Sequence, residues 1–581
     1  MIKSNYFKDN EDFKNHFYRF IDWNKVIDLY EDGFRDAKEY KNSGNERLAM
    51  SPSSYQDALD FYETILDSTG DLAGNDISQV AQLADREGLK FEKGKVTHPQ
   101  EMVDVIEKCW DAGVIPTAFK RKYGGLGLPN VMKALSLELF YRADTSIAIA
   151  AGSINLSGIL EKFAGEEICQ EYIPKFIEQK YSITMGLSEP DFGSDLPNVQ
   201  TKAVKKDDGW YVTGTKRFQT MACGLNGRPA AVLCLARTGD ANSGARALSF
   251  FIIEGQHLEV TGIEKKLGLK ASATCDVAFD NAPAVLVGEE GYGLVKYVIG
   301  MLNGARMSVA AQGAGIATAA YFEAKKYAEE RIQFGKKLVE IPAVAKMLNR
   351  MEREIAAMRC LMVEAALSVD NCHWRAEYMK DDGKSDREIR NDETVKSWER
   401  IANALTPMSK YYNSEICNSI TYDAIQVFGG SGFIEDYDVA RLYRDARITN
   451  IYDGTTQIQI NAAIGGVVAG MSEKGAFRKY LVDFMQSGSY SDEVKELFTG
   501  FEEGVELYRS STPQQKDEYS FEIVEMATRL VNGLLLEKTT AMLDGNDKEH
   551  RTRLTSDYHL DSLALYAGTL VKLKSKSLVV A

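Results

Sequence analysis

The chain has 581 residues, roughly four times the length of an average domain. Its composition, 44% hydrophobic and 26% charged, excludes a disordered, collagen-like or disulfide-scaffold protein. The 69 basic and 84 acidic residues give a formal net charge of −15, and a field of that sign disfavours a nucleic-acid partner.

The eight cysteines form no CxxC pair, and the six histidines form no HExxH motif, so we expect reduced thiols and no metal site. No apolar signal segment is visible at the start of the chain. Two uncharged runs, 145–160 and 307–322, are shorter than the ~20 apolar residues that span a bilayer. We therefore expect two buried helices there and a soluble protein of the cytoplasm.

In chain order, the apolar positions indicate helices over 12–164, as at Val131, Leu135 and Leu139. Short β-branched and aromatic runs then indicate an antiparallel sheet of about 110 residues, with strands over 209–220, 229–237, 247–254 and 275–288. Helices return from 293, a charge-rich solvated stretch covers 375–400, and another helical block covers 472–581. Because strands and helices do not alternate, the pattern predicts an α+β fold.

Three glycine clusters, at 124–127, 313–315 and 429–432, invite a nucleotide-binding interpretation. None completes GxGxxG after a predicted strand, and no GxxxxGK[ST] sequence occurs. The clusters therefore predict turns or close packing, not a dinucleotide or P-loop fold.

Seven segments taken together form a more specific pattern. They are GLSEPDFGSD (186–195), GTKRFQT (214–220), KLGLKASAT (266–274), RIQFG (331–335), AIQVFGGSGF (424–433), RDAR (444–447) and IYDGTTQIQ (451–459). In this order they resemble the acyl-CoA dehydrogenase family of flavoproteins over roughly residues 100–470. The opening 5–30 and the last helical block resemble the larger bacterial members, such as the methylmercaptopropionyl-CoA dehydrogenase group.

The resemblance implies an acyl-CoA dehydrogenase fold: an N-terminal helical domain, a middle antiparallel β domain and a C-terminal four-helix domain, with an extra C-terminal helical domain. The expected boundaries are an N-terminal arm 1–34, then 35–180, 181–290, 291–471 and 472–581. The extension is expected to cover a surface that smaller members use to form tetramers, so we expect a homodimer.

The resemblance also implies FAD as cofactor and assigns its contacts. Leu187 and Ser188 would contact the flavin, Ser194 its phosphate or the CoA arm, and Phe218 and Thr220 would face the ring and its N5. The remaining FAD contacts would be Arg331, Phe334, Gln426, Gly430, Thr455 and Gln457, several of them reaching a neighbouring subunit. An Arg fork suits a pyrophosphate because it binds two oxygens at once.

Proton abstraction alpha to a thioester needs a carboxylate whose pKa is raised by a dry pocket. The family motif is IYEGT with Glu as base, whereas this chain has Asp453 at that position. Some members place the base before an Arg in a helix, but the matching pair here is Ala305-Arg306, which has no carboxylate. Asp453 is therefore the expected catalytic base, and no metal takes part.

Asp is one methylene shorter than Glu, roughly 1.5 Å less reach, and a misplacement of that size costs about 10²-fold. We therefore expect a cyclic or branched acyl-CoA, bound by Ser194, Asn303, Arg306, Tyr452 and Gly454, with an electron-transfer flavoprotein as acceptor. Two alternatives stay open. One is a flavin oxidase of this fold, of nitroalkane-oxidase or acyl-CoA oxidase type, and the other is a noncatalytic scaffold.

Overall fold

The computed structural model describes residues 1–575, apart from the side chains at positions 241, 242, 299 and 303. The chain forms two compact units. The first contains Met1–Asp9 and Glu31–Ala305, and the second contains Asn10–Tyr30 and the described residues from Arg306 onward.

Helices α1 to α20 follow one another along the chain. Their bounds are Glu11–Asn15, Trp23–Glu31, Arg35–Ser43, Tyr55–Leu72, Ser78–Glu87, Gln100–Asp111, Asn130–Ala143, Thr145–Gly152, Ile159–Phe163, Glu166–Glu178, Ile299–Glu330, Pro342–Asp381, Asp386–Asn391, Glu393–Phe428, Asp438–Ala446, Thr456–Gly470, Ala476–Gln486, Asp492–Arg509, Pro513–Ala541 and Gly545–Ser575. Capping residues begin several of them. Asp144 accepts from the Ile147 N–H at 2.8 Å to start α8, and Thr512 forms a capping box with Gln515 before α19.

Strands β1 to β11 are Lys90–Glu92, Lys95–Thr97, Ser182–Gly186, Lys202–Lys206, Gly209–Thr220, Ala230–Arg237, Leu248–Glu254, Glu259–Ile263, Thr274–Leu286, Ile332–Gln333 and Lys336–Lys337. Seven of them, β3 to β9, form one sheet in the order β3-β6-β4-β5-β9-β7, with β8 paired to β9. Because β7 also pairs with β6, the strands close on themselves. Strand β6 lies at the centre of this domain, and every one of its residues is buried.

The second unit has its core between the long helices α12, α14 and α19. Helix α11 packs closely on α14 at Gly313, where a Cβ would lie 2.6 Å from the Asn413 carbonyl oxygen. The glycine cluster at 313–315 is thus a close-packing site, as its sequence predicts.

The segment Asn10–Tyr30 is bound to the helices of this unit by buried polar contacts. Asp12 pairs with Arg359 of α12 and, at 2.9 Å, with Arg551 of α20. The Tyr378 hydroxyl of α12 donates to the Tyr30 carbonyl. This segment is therefore an integral part of the helical unit.

The sheet differs from the predicted antiparallel one in two ways. Strands β3, β4 and β8 lay outside the predicted set, and β3 pairs with β6 in parallel. Strand β4 has the sequence KAVKK with a single buried residue, so its polar composition hides it from a hydrophobic pattern. The hairpin β1–β2 likewise interrupts the helices expected over 12–164.

The charge-rich stretch 375–400 is formed by the end of α12, by α13 and by the start of α14. Most of its residues are exposed, as predicted. No helix among residues 1–575 combines the length and the apolar character needed to cross a membrane. The cysteines all lie in this described range and none is in a disulfide.

We expect the protein to lose stability in acid because of His98, which lies in the first unit. Its ring is 3% exposed and contacts Asn226 Oδ1 at 3.3 Å, and burial lowers its pKa from 6.5 to about 4. Between these values the unfolded chain binds a proton that the native ring excludes, so stability is full above pH 6.5 and falls toward pH 4. The expected loss is about 3 kcal/mol.

Urea denaturation of wild-type protein and of His98→Leu at several pH values measures this contribution. The variant should show a flatter dependence on pH below 6.5, while His257→Gln, at an exposed ring, should keep the wild-type slope. Equal slopes for wild-type and His98→Leu would contradict the assignment.

Candidate functional site

The predicted flavin-facing residues of the first unit lie at an irregularity in strand β5. The register between β5 and β9 shifts between Lys216 and Gln219, which is a β-bulge. Phe218 sits in this bulge with φ 63° and is 55% exposed, whereas the adjacent Gln219 is buried. Thr220 is partly exposed. Phe218 in the bulge and Thr220 just after it are therefore both less buried than the residue between them.

The loop carrying Leu187 and Ser188 is held by a buried ion pair. The Lys216 ammonium donates to the Leu187 carbonyl at 3.0 Å and to Glu189 Oε1 at 2.9 Å. Glu189 also accepts the backbone N–H groups of Gln200 and Thr201. Burial alone would raise the pKa of Glu189, but Lys216 and these N–H groups hold it below its usual range.

Ser194 belongs to the exposed end of the same loop. A tight turn closed by hydrogen bonds between Glu189 and Phe192 precedes it, and a Cβ at Gly193 would meet no atom within 4 Å. Open space thus lies beside Gly193, in the segment where the sequence predicts contact with a phosphate or a CoA arm.

In the second unit, the predicted base lies in a strained turn between Thr449 and α16. Asp453 has φ 52° and Gly454 has φ 88°. Left-handed backbone at a non-glycine residue costs of order 1 kcal/mol or more and is found where surrounding contacts impose it. Such strain often accompanies function, so the contacts that hold this turn are informative.

Two buried side chains hold the turn by its carbonyl groups. The Lys410 ammonium of α14 donates to the Gly454 carbonyl at 2.7 Å. The Gln459 amide of α16 donates to the carbonyls of Asp453, at 3.0 Å, and Gly454, at 2.9 Å. Lys410 and Gln459 are both 0% exposed. Together they fix the backbone conformation that presents the Asp453 side chain.

Further contacts fix both ends of the turn to α14. Glu415 accepts hydrogen bonds from Asn450, at 3.1 Å, and from the Thr456 hydroxyl. The Ser414 hydroxyl donates to the Thr449 carbonyl at 3.0 Å. Both ends of the turn are therefore bound to α14.

Asp453 as a whole residue is partly exposed, and its carboxylate accepts no hydrogen bond from the described residues. Burial raises its pKa above the usual range, and the Lys410 ammonium opposes that rise. Burial lowers the pKa of Lys410 to about 8, against the attraction of Asp453 and Glu415, while Arg306 repels it. A carboxylate with a raised pKa and no internal donor is suited to accept a proton.

Of the predicted substrate contacts, the structure places Tyr452 and Gly454 on this turn. The Tyr452 hydroxyl donates to Gln312 of α11, and Arg306 lies on the same helix. Asn303 is also on α11, but its side chain lies outside the described residues. Tyr452 and Gly454 thus lie beside Asp453 on this turn, and Arg306 is near enough to Lys410 to lower its pKa.

A second group of predicted cofactor residues gathers at another end of this unit. Arg331 and Phe334 lie in the hairpin after α11, Gln426 lies at the end of α14, and Gly430 lies in the turn that follows it. Tyr327 of α11 stacks on Phe428 of α14 with ring centroids 4.1 Å apart, which joins the two ends. Gln426 is 16 residues beyond Lys410 on α14, about 24 Å along the helix axis, so this group is separate from the Asp453 turn.

Thr455 and Gln457 stay with the Asp453 turn. The Thr455 hydroxyl accepts from the Ile458 N–H at 3.4 Å and caps α16, while Gln457 is exposed on the first turn of that helix. Thr455 thus has a structural role in addition to the contact that the sequence predicts for it.

The residues present fit FAD, on two observations. Phe218 and Thr220 offer an uncovered aromatic ring and a hydroxyl, which suit a flat ring with polar edges. In the second unit, Phe334 is 91% exposed and a Cβ at Gly429 or Gly430 would meet no atom within 4 Å, which leaves room for a nucleotide.

Sequence reasoning missed three residues that hold these groups in place, namely Lys216, Lys410 and Gln459. The segments GTKRFQT and IYDGTTQIQ contain Lys216 and Gln459, so the motifs marked their neighbourhood but not their role. Lys410 lies in an otherwise uncharged stretch, ALTPMSKYY, and this isolated charge was the available sign of a special role.

Family models match most of the chain. The acyl-CoA dehydrogenase N-terminal domain matches residues 62–180, the middle domain 184–282 and the C-terminal domain 295–467.

Three curated relatives agree with these matches. The chain is 33% identical over 433 residues to 3-methylmercaptopropionyl-CoA dehydrogenase from Ruegeria pomeroyi, covering 70% of each chain. It is 31% identical over 369 residues to the caffeyl-CoA reductase-Etf complex subunit CarC from Acetobacterium woodii, covering 62% of this chain and 88% of the relative. It is 32% identical over 367 residues to cyclohexane-1-carbonyl-CoA dehydrogenase from Geobacter metallireducens, covering 61% and 87%.

Two solved structures are similar. Butyryl-CoA dehydrogenase from Megasphaera elsdenii is 27% identical with a TM-score of 0.58, covering 70% of this chain and 98% of the other. An acyl-CoA dehydrogenase complexed with FAD from Bacillus anthracis is 21% identical with a TM-score of 0.73, covering 89% and 88%, which shows that its fold extends over most of this chain.

The fold and these matches define a flavin-dependent oxidoreductase that acts on acyl-CoA thioesters. The chain belongs to the acyl-CoA dehydrogenase family, whose members depend on FAD. The predicted family, α+β fold class, enzyme class and cofactor are confirmed.

Proposed function

We propose that this protein catalyses α,β-desaturation of a cyclic or branched acyl-CoA, with Asp453 as the base that removes the α proton. The single observation that carries the proposal is the Asp453 carboxylate, which is held in a strained turn, has a pKa raised by burial and accepts no hydrogen bond from the part of the chain that the structure describes.

Two groups of Asp453, its carboxylate and its backbone N–H, act in this step. Asp453 takes the α proton on its carboxylate, and bound FAD supplies the acceptor for the hydride that leaves the β carbon. Among the described residues, no acceptor binds the Asp453 backbone N–H, so this group is available to donate to the thioester carbonyl and stabilise the enolate as it forms. Arg306, Asn303, Tyr452, Gly454 and Ser194 would bind the thioester and its CoA arm.

The preference for a cyclic or branched acyl group follows from the shorter reach of Asp. The similarity to a cyclohexane-1-carbonyl-CoA dehydrogenase supports it. The similarity to an Etf-complex subunit supports an electron-transfer flavoprotein as the acceptor. We also propose that the domains of the chain end at residues 34, 180, 290 and 471 and that the protein is located in the cytoplasm.

An anaerobic bleaching screen tests the proposal. Purified holoenzyme is mixed with linear, branched, cyclic and aromatic acyl-CoAs, and loss of flavin absorbance is followed. We expect bleaching to be fastest with a branched or cyclic thioester. Rapid peroxide formation in air without another acceptor would instead indicate the oxidase, and absence of bleaching with every thioester would indicate a noncatalytic scaffold.

For the cofactor, we propose that Leu187, Ser188, Phe218 and Thr220 contact the flavin. The residues at the joined ends of α11 and α14, together with Thr455 and Gln457, would contact FAD of a second subunit in a homodimer. The exposure of Phe334 supports this, because a ring with no cover in its own chain is suited to contact a partner or ligand.

Phe334→Ser should therefore weaken FAD binding without loss of folding. The ring is 91% exposed and packs against little of its own chain, so the melting temperature of FAD-free protein should stay unchanged. FAD content after gel filtration and light scattering at several concentrations measure the effect. Met50→Ser, at an 83% exposed side chain in the other unit, is the matched control. Full FAD retention and an unchanged oligomeric state in Phe334→Ser would contradict the proposal.

A further inference from the structure

Lys410 is an unusual residue for its place in the fold. It lies in the middle of α14, between buried neighbours, and is 0% exposed. Burying an ammonium without a fully paired partner is costly, so a lysine at such a position needs a specific reason.

The contacts of Lys410 suggest that reason. Its ammonium donates to the Gly454 carbonyl at 2.7 Å, one residue after the proposed base. The charged groups around it are Asp453 on the turn, Glu415 on α14 itself and Arg306 on α11. Lys410 thus touches the backbone of the turn and acts electrostatically on its carboxylate.

Resting on the proposed function of Asp453, we propose that Lys410 is the positioning residue of proton abstraction: it clamps the Asp453–Gly454 turn and keeps the Asp453 carboxylate charged. The hydrogen bond and the charge have separate consequences. The hydrogen bond maintains the left-handed turn, and the positive charge favours the ionised carboxylate.

The charge also explains how the base works near neutrality. Burial raises the pKa of Asp453, which strengthens it as a base but also favours its protonated, inactive form. The Lys410 ammonium opposes that rise, so the carboxylate is ionised over a wider range of pH. With the pKa of Lys410 at about 8, this charge is present at neutral pH and is lost in alkali.

The test separates proton abstraction from hydride transfer. The holoenzyme is incubated in D2O with (methylthio)acetyl-CoA at saturating concentration, a thioester with sulfur in place of the β methylene. This probe can exchange its α protons but has no β hydride to give. Mass spectrometry measures the exchange rate as a function of pH for wild-type enzyme, Lys410→Gln and Lys410→Met.

Both variants remove the charge, and only Lys410→Gln keeps a hydrogen-bond donor. In both, the acid limb of the exchange profile should move to higher pH, with exchange at its acid end about tenfold below wild-type or lower. Lys410→Met should in addition have a lower plateau at alkaline pH than Lys410→Gln, since it cannot hold the turn. Wild-type exchange should rise again near pH 8, where loss of the Lys410 charge makes Asp453 more basic.

Acid limbs that coincide with wild-type, or a uniform fall at all pH values, would overturn the role of the charge. Equal plateaus for the two variants would overturn the clamp. If neither variant folds, absence of the wild-type rise in alkali overturns the role of the charge by itself. Ser409→Ala, which removes a buried hydroxyl from the adjacent position of α14, is the matched control and should keep the wild-type profile.

Asp453→Asn distinguishes failure of this inference from failure of the proposed function. If Asp453→Asn exchanges protons as fast as wild-type, Asp453 is not the base and the proposed function fails. If that variant is inactive while both Lys410 variants keep the wild-type profile, the proposed function stands and the inference about Lys410 fails.

Discussion

Replacing Asp453 by Asn is expected to lower flavin bleaching by an acyl-CoA by about 10²- to 10⁴-fold, the usual contribution of a general base. The amide has the same shape as the carboxyl group but cannot take the α proton. Because the carboxylate accepts no hydrogen bond from any side chain or backbone group that the structure describes, its replacement should leave the fold intact. Stopped-flow absorbance under anaerobic conditions measures the rate.

Two controls accompany this variant. FAD content and the affinity for a bound acyl-CoA should match wild-type, since the lost function is proton abstraction. Asp483→Asn, at an exposed position of α17, should keep full activity. A bleaching rate for Asp453→Asn within a few-fold of wild-type would remove Asp453 from the catalytic role.

Asp453→Glu keeps a carboxylate base at this position and tests how far its side chain must reach. The added methylene, roughly 1.5 Å, should move the ratio of kcat/KM values toward linear acyl chains and away from cyclic or branched ones. An unchanged ratio would refute the link between the short side chain and the substrate.

Lys216→Met is expected to destabilise the protein by about 3–5 kcal/mol, the usual cost of leaving one member of a buried ion pair without its partner. Lys216 is 1% exposed and Glu189 is 6% exposed. Without the ammonium, Glu189 retains only the N–H groups of Gln200 and Thr201, and the Leu187 carbonyl loses its donor. Chemical denaturation measures the change in the free energy of unfolding.

The double variant Lys216→Met/Glu189→Gln isolates the charge. It replaces the carboxylate by a neutral amide, so it should recover part of the lost stability, and the double-mutant cycle gives the coupling energy. FAD content should fall in Lys216→Met, because the same lysine holds the loop with Leu187 and Ser188. A change in stability below about 1 kcal/mol would show that the pair is not a main anchor of that loop.

Much of the fold was predictable from local pattern. The strand 209–220 matches β5, and the predicted strands at 229–237, 247–254 and 275–288 match β6, β7 and β9 within about two residues. These segments have strong apolar or alternating patterns. Strands β4 and β8 were not predicted because they are short and most of their residues are exposed or partly exposed. Pairing with neighbouring strands, and not their composition, makes them strands.

The bulge in β5 is a second feature outside local pattern. Period-two spacing places Phe218 and Thr220 on one side of a strand, and both are indeed less buried than Gln219. The positive φ of Phe218 and the register shift, however, arise from pairing with β9, which is distant in sequence. Local sequence contains no signal for such an irregularity.

The sequence by itself determined the class of this protein, because seven segments in a fixed order, ending in IYDGTTQIQ, identify a flavoenzyme family and mark Asp453 as its candidate base. Only the tertiary structure decided which residues hold that chemistry in place. Lys216 and Lys410 belong to a residue type that usually lies in solvent, and their burial depends on elements remote in the chain. Hydrogen bonds to the Leu187 and Gly454 carbonyls exist only after those elements pack, so no local pattern reveals them.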